Sequence, residues 1–147
     1  NITATTDGFE VANTATLNIY ANNGGKVAAA SGNGEPYCAV WAHGNGVVNI
    51  YGGEFSIGYP ANDYNDLIYA KENASISIYG GKFYNSGKGN SFVLNIKDNN
   101  PASIVVYGGE FEKFDPANNL SEGAGTNFVA PGYKSVADGD WYKVIAE

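Results

Sequence analysis

The amino-acid sequence predicts an all-β protein, a parallel β-helix of about four coils closed by a C-terminal β-hairpin. Three observations support this prediction. A six-residue phrase recurs at a nearly fixed spacing, an alternating apolar segment precedes each copy, and each copy contains a pair of glycines. Repeats of a few tens of residues are typical of solenoids, in which each unit covers the apolar face of its neighbour.

The repeated phrase marks the coils. It reads IYGGEF, then IYGGKF, then VYGGEF. Its tyrosines, Tyr51, Tyr79 and Tyr107, are 28 residues apart, and Tyr20 lies 31 residues before Tyr51 in a degenerate first copy. We therefore assign residues 1–133 to the β-helix.

Each copy predicts two strands before its glycines. The segment in front of each tyrosine alternates, as in Val48–Asn49–Ile50, and this pattern predicts a strand with one buried face. Eight residues before the first apolar residue of that strand stands another apolar residue in every copy. These residues are Phe9, Val40, Ile68 and Ile96. The constant offset predicts that they align from coil to coil in a second strand.

The glycine pairs predict a sharp corner followed by a third short strand, because a Cβ atom would obstruct the turn. We expect the phenylalanine after each pair to fill the interior and the tyrosine before it to stack on the outside. The residue between glycines and phenylalanine is Glu54, Lys82 or Glu110, and this alternation predicts a ladder of opposite charges between coils.

The end of the chain predicts a capping hairpin over 134–147. An Asp138–Gly139 turn lies there between two β-rich arms, which is a signal of a hairpin. A hairpin over the open end of the last coil would cover edge groups that otherwise favour aggregation.

The repeats resemble those of right-handed single-stranded parallel β-helix proteins of the pectate-lyase-like class. The cadence NIYGG-x-F, LIYAK and FVLNIKD is similar to β-helical repeats of phage fibre or spike proteins and of gut-bacterial surface proteins. This resemblance covers nearly the whole chain and implies an extracellular location, on a virion or on a bacterial cell surface. It does not imply one activity, since such folds occur in lyases, hydrolases and inert fibres.

Composition argues against several classes of function. The formal net charge is −7, and all eight basic residues are lysines, so we expect no nucleic-acid binding. No apolar run is long enough for a transmembrane helix, so we expect no membrane insertion. Cys38 is the single cysteine and is expected to be a small core residue. The chain contains no Met, and we expect it to be a piece of a longer protein.

The outer face of the second strand offers a candidate glycan-binding site. The residues that follow the inward-facing positions are Glu10, Trp41, Tyr69 and Lys97, and two residues further along lie Ala12, His43, Lys71 and Asn99. Flat aromatic rings beside a cation, His43 and Asp66 can face sugar rings and bond their hydroxyls. The alternative is that the same aromatic rings stabilise the coils by cross-strand packing or are covered by a neighbouring chain.

We expect no catalytic residues, no cofactor and no metal. β-Helical lyases combine acidic Ca²⁺ ligands with an Arg or Lys base, and the chain has no Arg. Glycosidases need a pair of carboxylates, whereas Lys82 separates Glu54 from Glu110 in the repeat. Asp63 and Asp66 lie in a loop without a recognised Ca²⁺-binding spacing, so we interpret them as turn residues.

These inferences lead to one expected function and one alternative. We expect a non-catalytic structural or adhesion module of a phage virion appendage or of an extracellular surface protein, with possible glycan contact. The alternative is a fragment of a carbohydrate-active β-helical enzyme or a carbohydrate-binding module. Short β-helices gain stability by association, so we also expect self-association, as a homotrimer or end to end.

Overall fold

A computed structural model describes residues 1–21, 24–29, 37–57, 66–85 and 92–147 of the protein. These residues form strands and turns and contain no helix. The strands stack in parallel into a β-solenoid, which confirms the predicted fold class.

Three sheets form the walls of the solenoid. Sheet A contains the parallel strands β1 (Ile2–Ala4), β4 (Lys26–Ala29), β7 (Glu54–Ile57), β10 (Lys82–Phe83) and β13 (Gly109–Glu112). Sheet B contains β2 (Phe9–Val11), β5 (Val40–Ala42), β8 (Ile68–Ala70) and β11 (Leu94–Ile96). Sheet C contains β3 (Thr16–Ile19), β6 (Val47–Ile50), β9 (Ser75–Ile78) and β12 (Ser103–Val106). The chain visits sheets B, C and A in turn within each coil.

The solenoid makes about 3 turns, slightly fewer than the four coils expected. Sheets B and C each contain four strands. Four stacked strands in a sheet are joined by three full turns of the chain. The four tyrosines of the repeat therefore correspond to the number of stacked strands and not to the number of turns.

Ladders of identical or similar side chains fill the interior. Phe55, Phe83 and Phe111 are fully buried, and their rings stack at centroid distances of 5.1 and 4.8 Å. Val27 continues this ladder in the first coil, because β4 pairs with β7 and places Val27 opposite Phe55. The inward position predicted for the phenylalanines is therefore confirmed.

The glycine pairs form the predicted corners, with different roles for their two members. Gly53, Gly81 and Gly109 have φ angles of 113°, 118° and 115°, a region that residues with a Cβ rarely adopt. The first glycine of a pair lies against the preceding coil, since a Cβ at Gly80 would stand 2.8 Å from the carbonyl oxygen of Tyr51. Stacking and conformation thus both require glycine at the corner.

The predicted alignment of sheet B is correct in three coils and wrong in the fourth. Leu94, not Ile96, pairs with Ile68. The bend between β11 and β12 comprises residues 97–102, whereas the equivalent bend one coil earlier comprises only 71–74. Two additional residues in this bend shift the offset from eight to ten.

The predicted C-terminal hairpin is present as β14 (Tyr133–Asp138) and β15 (Trp141–Ala146). It closes the end differently from the expectation, because β15 pairs antiparallel with β13 and continues sheet A instead of lying across the core. The last strands of sheets B and C form hydrogen bonds with the segment that precedes the hairpin. Glu122 accepts a hydrogen bond from Ile96 N at 2.7 Å, and Val106 N donates to the carbonyl oxygen of Phe128 at 2.8 Å.

Candidate functional site

The candidate site lies on the outer face of sheet B. Strand pairing places Glu10, Trp41, Tyr69 and Asn95 in one row across the four strands of sheet B. The predicted neighbourhood of Trp41 and Tyr69 is therefore present. We call the group Glu10, Trp41, His43, Tyr69 and Lys71 the Trp41 surface.

The indole ring of Trp41 is already engaged by two neighbours of this surface. His43 stacks on it at a centroid distance of 4.6 Å with an interplanar angle of 28°. Lys71, from the next coil, places its Nζ 4.9 Å from the ring centroid in a cation–π contact. Trp41 is half-buried, and its Nε1 is enclosed with no hydrogen-bond acceptor among the described residues. These contacts indicate that the Trp41 ring packs between coils. A ring that binds a sugar would instead leave one face open to the solvent.

His43 is held from the other side by Glu10. The Nε2 atom of His43 lies 2.9 Å from Oε1 of Glu10, one coil earlier. Glu10, His43, Trp41 and Lys71 consequently form one chain of contacts that spans three coils. A carboxylate on one ring nitrogen is also how catalytic imidazoles are oriented, so the contact with Glu10 is no argument against a general base. The stacking of the His43 ring on Trp41 is what favours a packing role.

Asp66 lies two residues before β8 and is buried, with 9% of its surface exposed. Both carboxylate oxygens accept hydrogen bonds within the protein, Oδ1 from Phe92 N at 2.8 Å and Oδ2 from Asn95 Nδ2 at 2.7 Å. Burial raises the pKa of Asp66 to about 6, although the two hydrogen bonds oppose this shift. A sugar hydroxyl would have to replace one of these internal bonds.

Asp7 has the same structural role two coils earlier. Its Oδ1 atom accepts a hydrogen bond from Cys38 N at 2.6 Å, just as Asp66 accepts one from Phe92 N. Burial also raises the pKa of Asp7. An acidic residue before the sheet B strand therefore joins one coil to the next, which is a structural explanation for Asp66. Asp63, the other acidic residue considered for this loop, lies outside the described residues.

Tyr69 is half-buried beside Asp66 and Asn95. Its pKa is raised by burial first and by the negative charge of Asp66 second. Cys38 is buried, and burial raises the pKa of its thiol well above the ordinary value. Its buried position agrees with the expectation of a core residue.

The sequence predicts Lys97 beside Tyr69, and this prediction is wrong. The neighbour of Tyr69 in the fourth coil is Asn95. Lys97 is exposed and follows β11, and its backbone N donates to the carbonyl oxygen of Ala70 at 2.9 Å. It therefore continues the row of His43 and Lys71. The cause is the longer bend at 97–102, which moves β11 by two residues relative to the expectation.

Two members of the Trp41 surface, Lys71 and Glu10, are not among the site residues that the sequence predicts. Lys71 follows Tyr69 by two residues, just as His43 follows Trp41. That equal spacing was the available signal that Lys71 would lie beside His43. Glu10 stands one coil before Trp41 in the same register, yet the direction of its side chain towards His43 has no signature in the spacing.

A second aromatic surface lies at the glycine corners. Tyr20, Tyr51, Tyr79 and Tyr107 stack face to face at 4.6, 5.0 and 4.9 Å, as predicted. Tyr20, at the first coil, is 64% exposed. Because each inner ring covers the faces of its neighbours, this tyrosine ladder presents mainly ring edges and hydroxyl groups to the solvent.

The predicted charge ladder on sheet A is longer than the three residues expected. Lys26 pairs with Glu54 at 2.9 Å, Lys82 with Glu110 at 3.5 Å and Lys143 with Glu110 at 3.3 Å. The alternation of charge continues from β4 through β15, but Glu54 and Lys82, which are aligned in register, form no ion pair among the described residues. A shallow groove of about 400 Å³ is lined by glycines of the corners and by four of these charged residues, Glu54, Lys82, Glu110 and Lys143.

The part of the chain that the structure describes contains no group of three or more His, Cys, Asp or Glu residues placed to hold a metal ion. Among the same residues, no helix has the length and apolar character needed to cross a membrane.

Comparison with known proteins adds no relative. The sequence matches no protein-family model, and neither the curated proteins nor the solved structures contain a significant match.

Proposed function

We propose that this chain is a non-catalytic structural module of a phage virion appendage or of an extracellular surface protein. Its repeats resemble those of such proteins, and this resemblance supports the location. The main support is that outward-facing residues at equivalent positions contact each other between coils, as the stacked tyrosines, Asn18 with Asn49, and Lys82 with Glu110 do. A surface organised in this way is suited to maintaining its shape.

The charge and tyrosine ladders support the mechanical part of this proposal. In each ladder, one residue type or one alternation is repeated at every coil, so a shift of one coil against the next breaks the contacts of all the ladders at that interface together. The buried phenylalanine ladder adds the same constraint inside. A solenoid of this kind resists local opening, which is the property that a spacer or fibre segment requires.

The role proposed for the Trp41 surface is to fasten sheet B, with glycan contact as the alternative. His43 and Lys71 contact the ring of Trp41, and Asp66 uses both carboxylate oxygens internally. A sugar would meet groups that are already bonded, and binding would have to compensate for the bonds it displaces. Tyr69 and Lys97 remain as outward polar groups for a weak contact.

The substitution Trp41→Ala tests the two roles against each other. The fastening role predicts a loss of about 2 kcal/mol in the free energy of unfolding, since a large half-buried ring and its cation–π contact are removed. It also predicts that any glycan binding of the folded variant equals that of the wild type. Lys97→Ala is the control, because Lys97 is exposed on the same face, and its stability should stay near that of the wild type. A variant that keeps its stability but loses glycan binding would contradict the fastening role.

The non-catalytic assignment has its own test. Acidic and neutral polysaccharides are incubated with the wild-type chain, and reducing ends and unsaturated ends are measured. We expect neither to increase above a heat-denatured control. A sustained increase that scales with protein concentration would show that the chain is a carbohydrate-active enzyme.

A further inference from the structure

We propose that the free edge of β14 is a self-association surface, and that a second copy of this chain pairs with it around a two-fold axis through Val136. This inference concerns the end of sheet A and does not depend on the proposed role of the Trp41 surface.

The hairpin leaves one long strand edge unpaired among the described residues. The order of sheet A ends in β13, β15 and β14, so β14 has a strand on one side only. β14 is 6 residues long, whereas β1 at the opposite edge has 3. Val136 on β14 and Ile145 on β15 are 41% and 39% exposed. A long edge with apolar side chains is a template for pairing with another strand.

The backbone of β14 has hydrogen-bonding groups available at defined positions. Asp138 and Trp141 close the hairpin, and Glu147 N donates to the carbonyl oxygen of Gly132. Since hydrogen-bonded pairs alternate along an antiparallel ladder, the even-numbered residues of β14 direct their backbone groups at β15. Ser135 and Ala137 therefore direct theirs at the open edge, where a second strand would lie.

Only a few registers are compatible with a two-fold axis. Two copies of one strand pair antiparallel when the axis is perpendicular to the sheet, and opposed residues then share a face. Val136 shares a face with Lys143, because these two residues are paired across the hairpin, and Lys143 contacts Glu110 on the outer face. Lys134 and Asp138 lie on that same face by the alternation of the strand.

The side chains select the register centred on Val136. In this register, Val136 meets Val136 of the second copy, and each Lys134 meets Asp138 of the second copy. Ser135 and Ala137 of opposite copies form hydrogen-bonded pairs. A centre at Lys134 would oppose two lysines, and a centre at Ser135 or Ala137 would oppose a charge to Val136. Charges often protect a strand edge, but here the two signs are symmetric about Val136 and attract in self-pairing.

Lys134 and Asp138 are free for this contact. Both are exposed, and within the described ranges neither forms an ion pair with another residue. The pairing would join two seven-stranded sheets into one continuous sheet and place the two solenoids with their C-terminal ends together. A homotrimer is not compatible with this geometry, because each copy has a single β14 edge.

Charge reversal tests the register. The wild type, Lys134→Asp, Asp138→Lys and the double swap are compared by sedimentation velocity over a concentration series that extends to high micromolar, since small interfaces are weak. We expect a concentration-dependent dimer, at least about tenfold weaker association in each single variant, and recovery in the double swap. Circular dichroism verifies that every variant is folded. The proposal would be overturned if the wild type stayed monomeric at all concentrations or formed a trimer. It would also be overturned if both single variants associated as strongly as the wild type.

A cysteine cross-link tests the axis itself. Opposed residues of a non-hydrogen-bonded antiparallel pair have Cα atoms about 4.5 Å apart, which is within the range of a disulfide. Under mild oxidation, we expect Val136→Cys to form a covalent dimer much faster than Ile145→Cys, a control of equal exposure on the neighbouring strand. The native Cys38 is buried and does not compete. Equal rates at the two positions would exclude an axis at Val136.

Discussion

At the scale of single residues, the second glycine of each repeat has a conformational requirement in addition to a steric one. Gly81 has a φ of 118°, and a Cβ built on it would lie 3.1 Å from the carbonyl oxygen of Gly53 and 3.3 Å from the ring of Phe83. The corner therefore excludes other residues for two separate reasons. The phenylalanine that follows can enter the core because the backbone turns at this glycine.

The substitution Gly81→Ala should lower the free energy of unfolding by roughly 1–3 kcal/mol, because it adds backbone strain and a close contact at an inner coil. Gly25→Ala is the matched control. A Cβ at Gly25 would stand at an ordinary 3.5 Å from Ala21, and the φ of Gly25 is not in the restricted region. Chemical denaturation of both variants measures the difference. Equal losses would show that the corner tolerates a side chain.

At the scale of elements, the sequence predicts strands and their register wherever the repeat length is constant. The 28-residue spacing correctly placed the tyrosine and phenylalanine ladders, since equal spacing returns equivalent residues to the same point of the coil. The fourth copy of sheet B departs from this rule. Its bend, which contains Pro101, is two residues longer, and a change of loop length moves a strand without changing its own alternation.

The sequence predicts where the candidate site lies, but not which of its side chains contact each other. Register placed Trp41 beside Tyr69, and this neighbourhood is present. The stacking of His43 on Trp41 depends on side-chain torsions, about which sequence spacing carries no information. The burial of Asp66 was also hidden, because an acidic residue in a loop is normally exposed and this one is enclosed by Phe92 and Asn95.

The charge ladder of sheet A gives a prediction at the same scale. Lys82→Glu places an acidic side chain between Glu54 and Glu110, its neighbours in register. The variant should lose roughly 1 kcal/mol of stability, because the ion pair with Glu110 is lost and like charges then stand in register on both sides. Lys97→Glu changes the net charge equally, and it lies outside the ladder. The difference between the variants should shrink in high salt, and a difference independent of salt would contradict an electrostatic ladder.

At the scale of the whole molecule, three acidic residues fasten the coils of sheet B. Asp7, Asp66 and Glu122 each accept a hydrogen bond from a backbone N of another coil or segment. Burial is the first cause of a raised pKa in all three. The same contacts that hold the solenoid along its length therefore place carboxylates where their charge is unfavourable.

Stability should accordingly rise as the solution is acidified from neutral pH towards pH 4. A carboxyl group with a higher pKa in the folded than in the unfolded state binds more protons when folded, so its contribution is present below the unfolded pKa and is lost as pH rises through the folded pKa. For Asp66, this window extends from 3.8 to about 6. Its shift corresponds to a change on the order of 3 kcal/mol. Asp7 and Glu122 change stability in the same direction.

Urea denaturation at a series of pH values between 4 and 7.5 measures this trend, and Asp66→Asn isolates its largest part. The amide oxygen retains an acceptor for the backbone N of Phe92, and Asn95 must turn its own amide so that its oxygen accepts from the new NH2 group. The side chain no longer titrates. The variant should therefore be more stable than the wild type at pH 7.5 and lose this advantage near pH 4. Its free energy of unfolding should change less with pH between these values. Because the charge of Asp66 is also a cause of the raised pKa of Tyr69, the variant should lower the pKa of that phenol, which ultraviolet titration measures independently. A wild-type profile that falls towards pH 4 would mean that the carboxylates stabilise the coils as ions, and that their hydrogen bonds outweigh their burial.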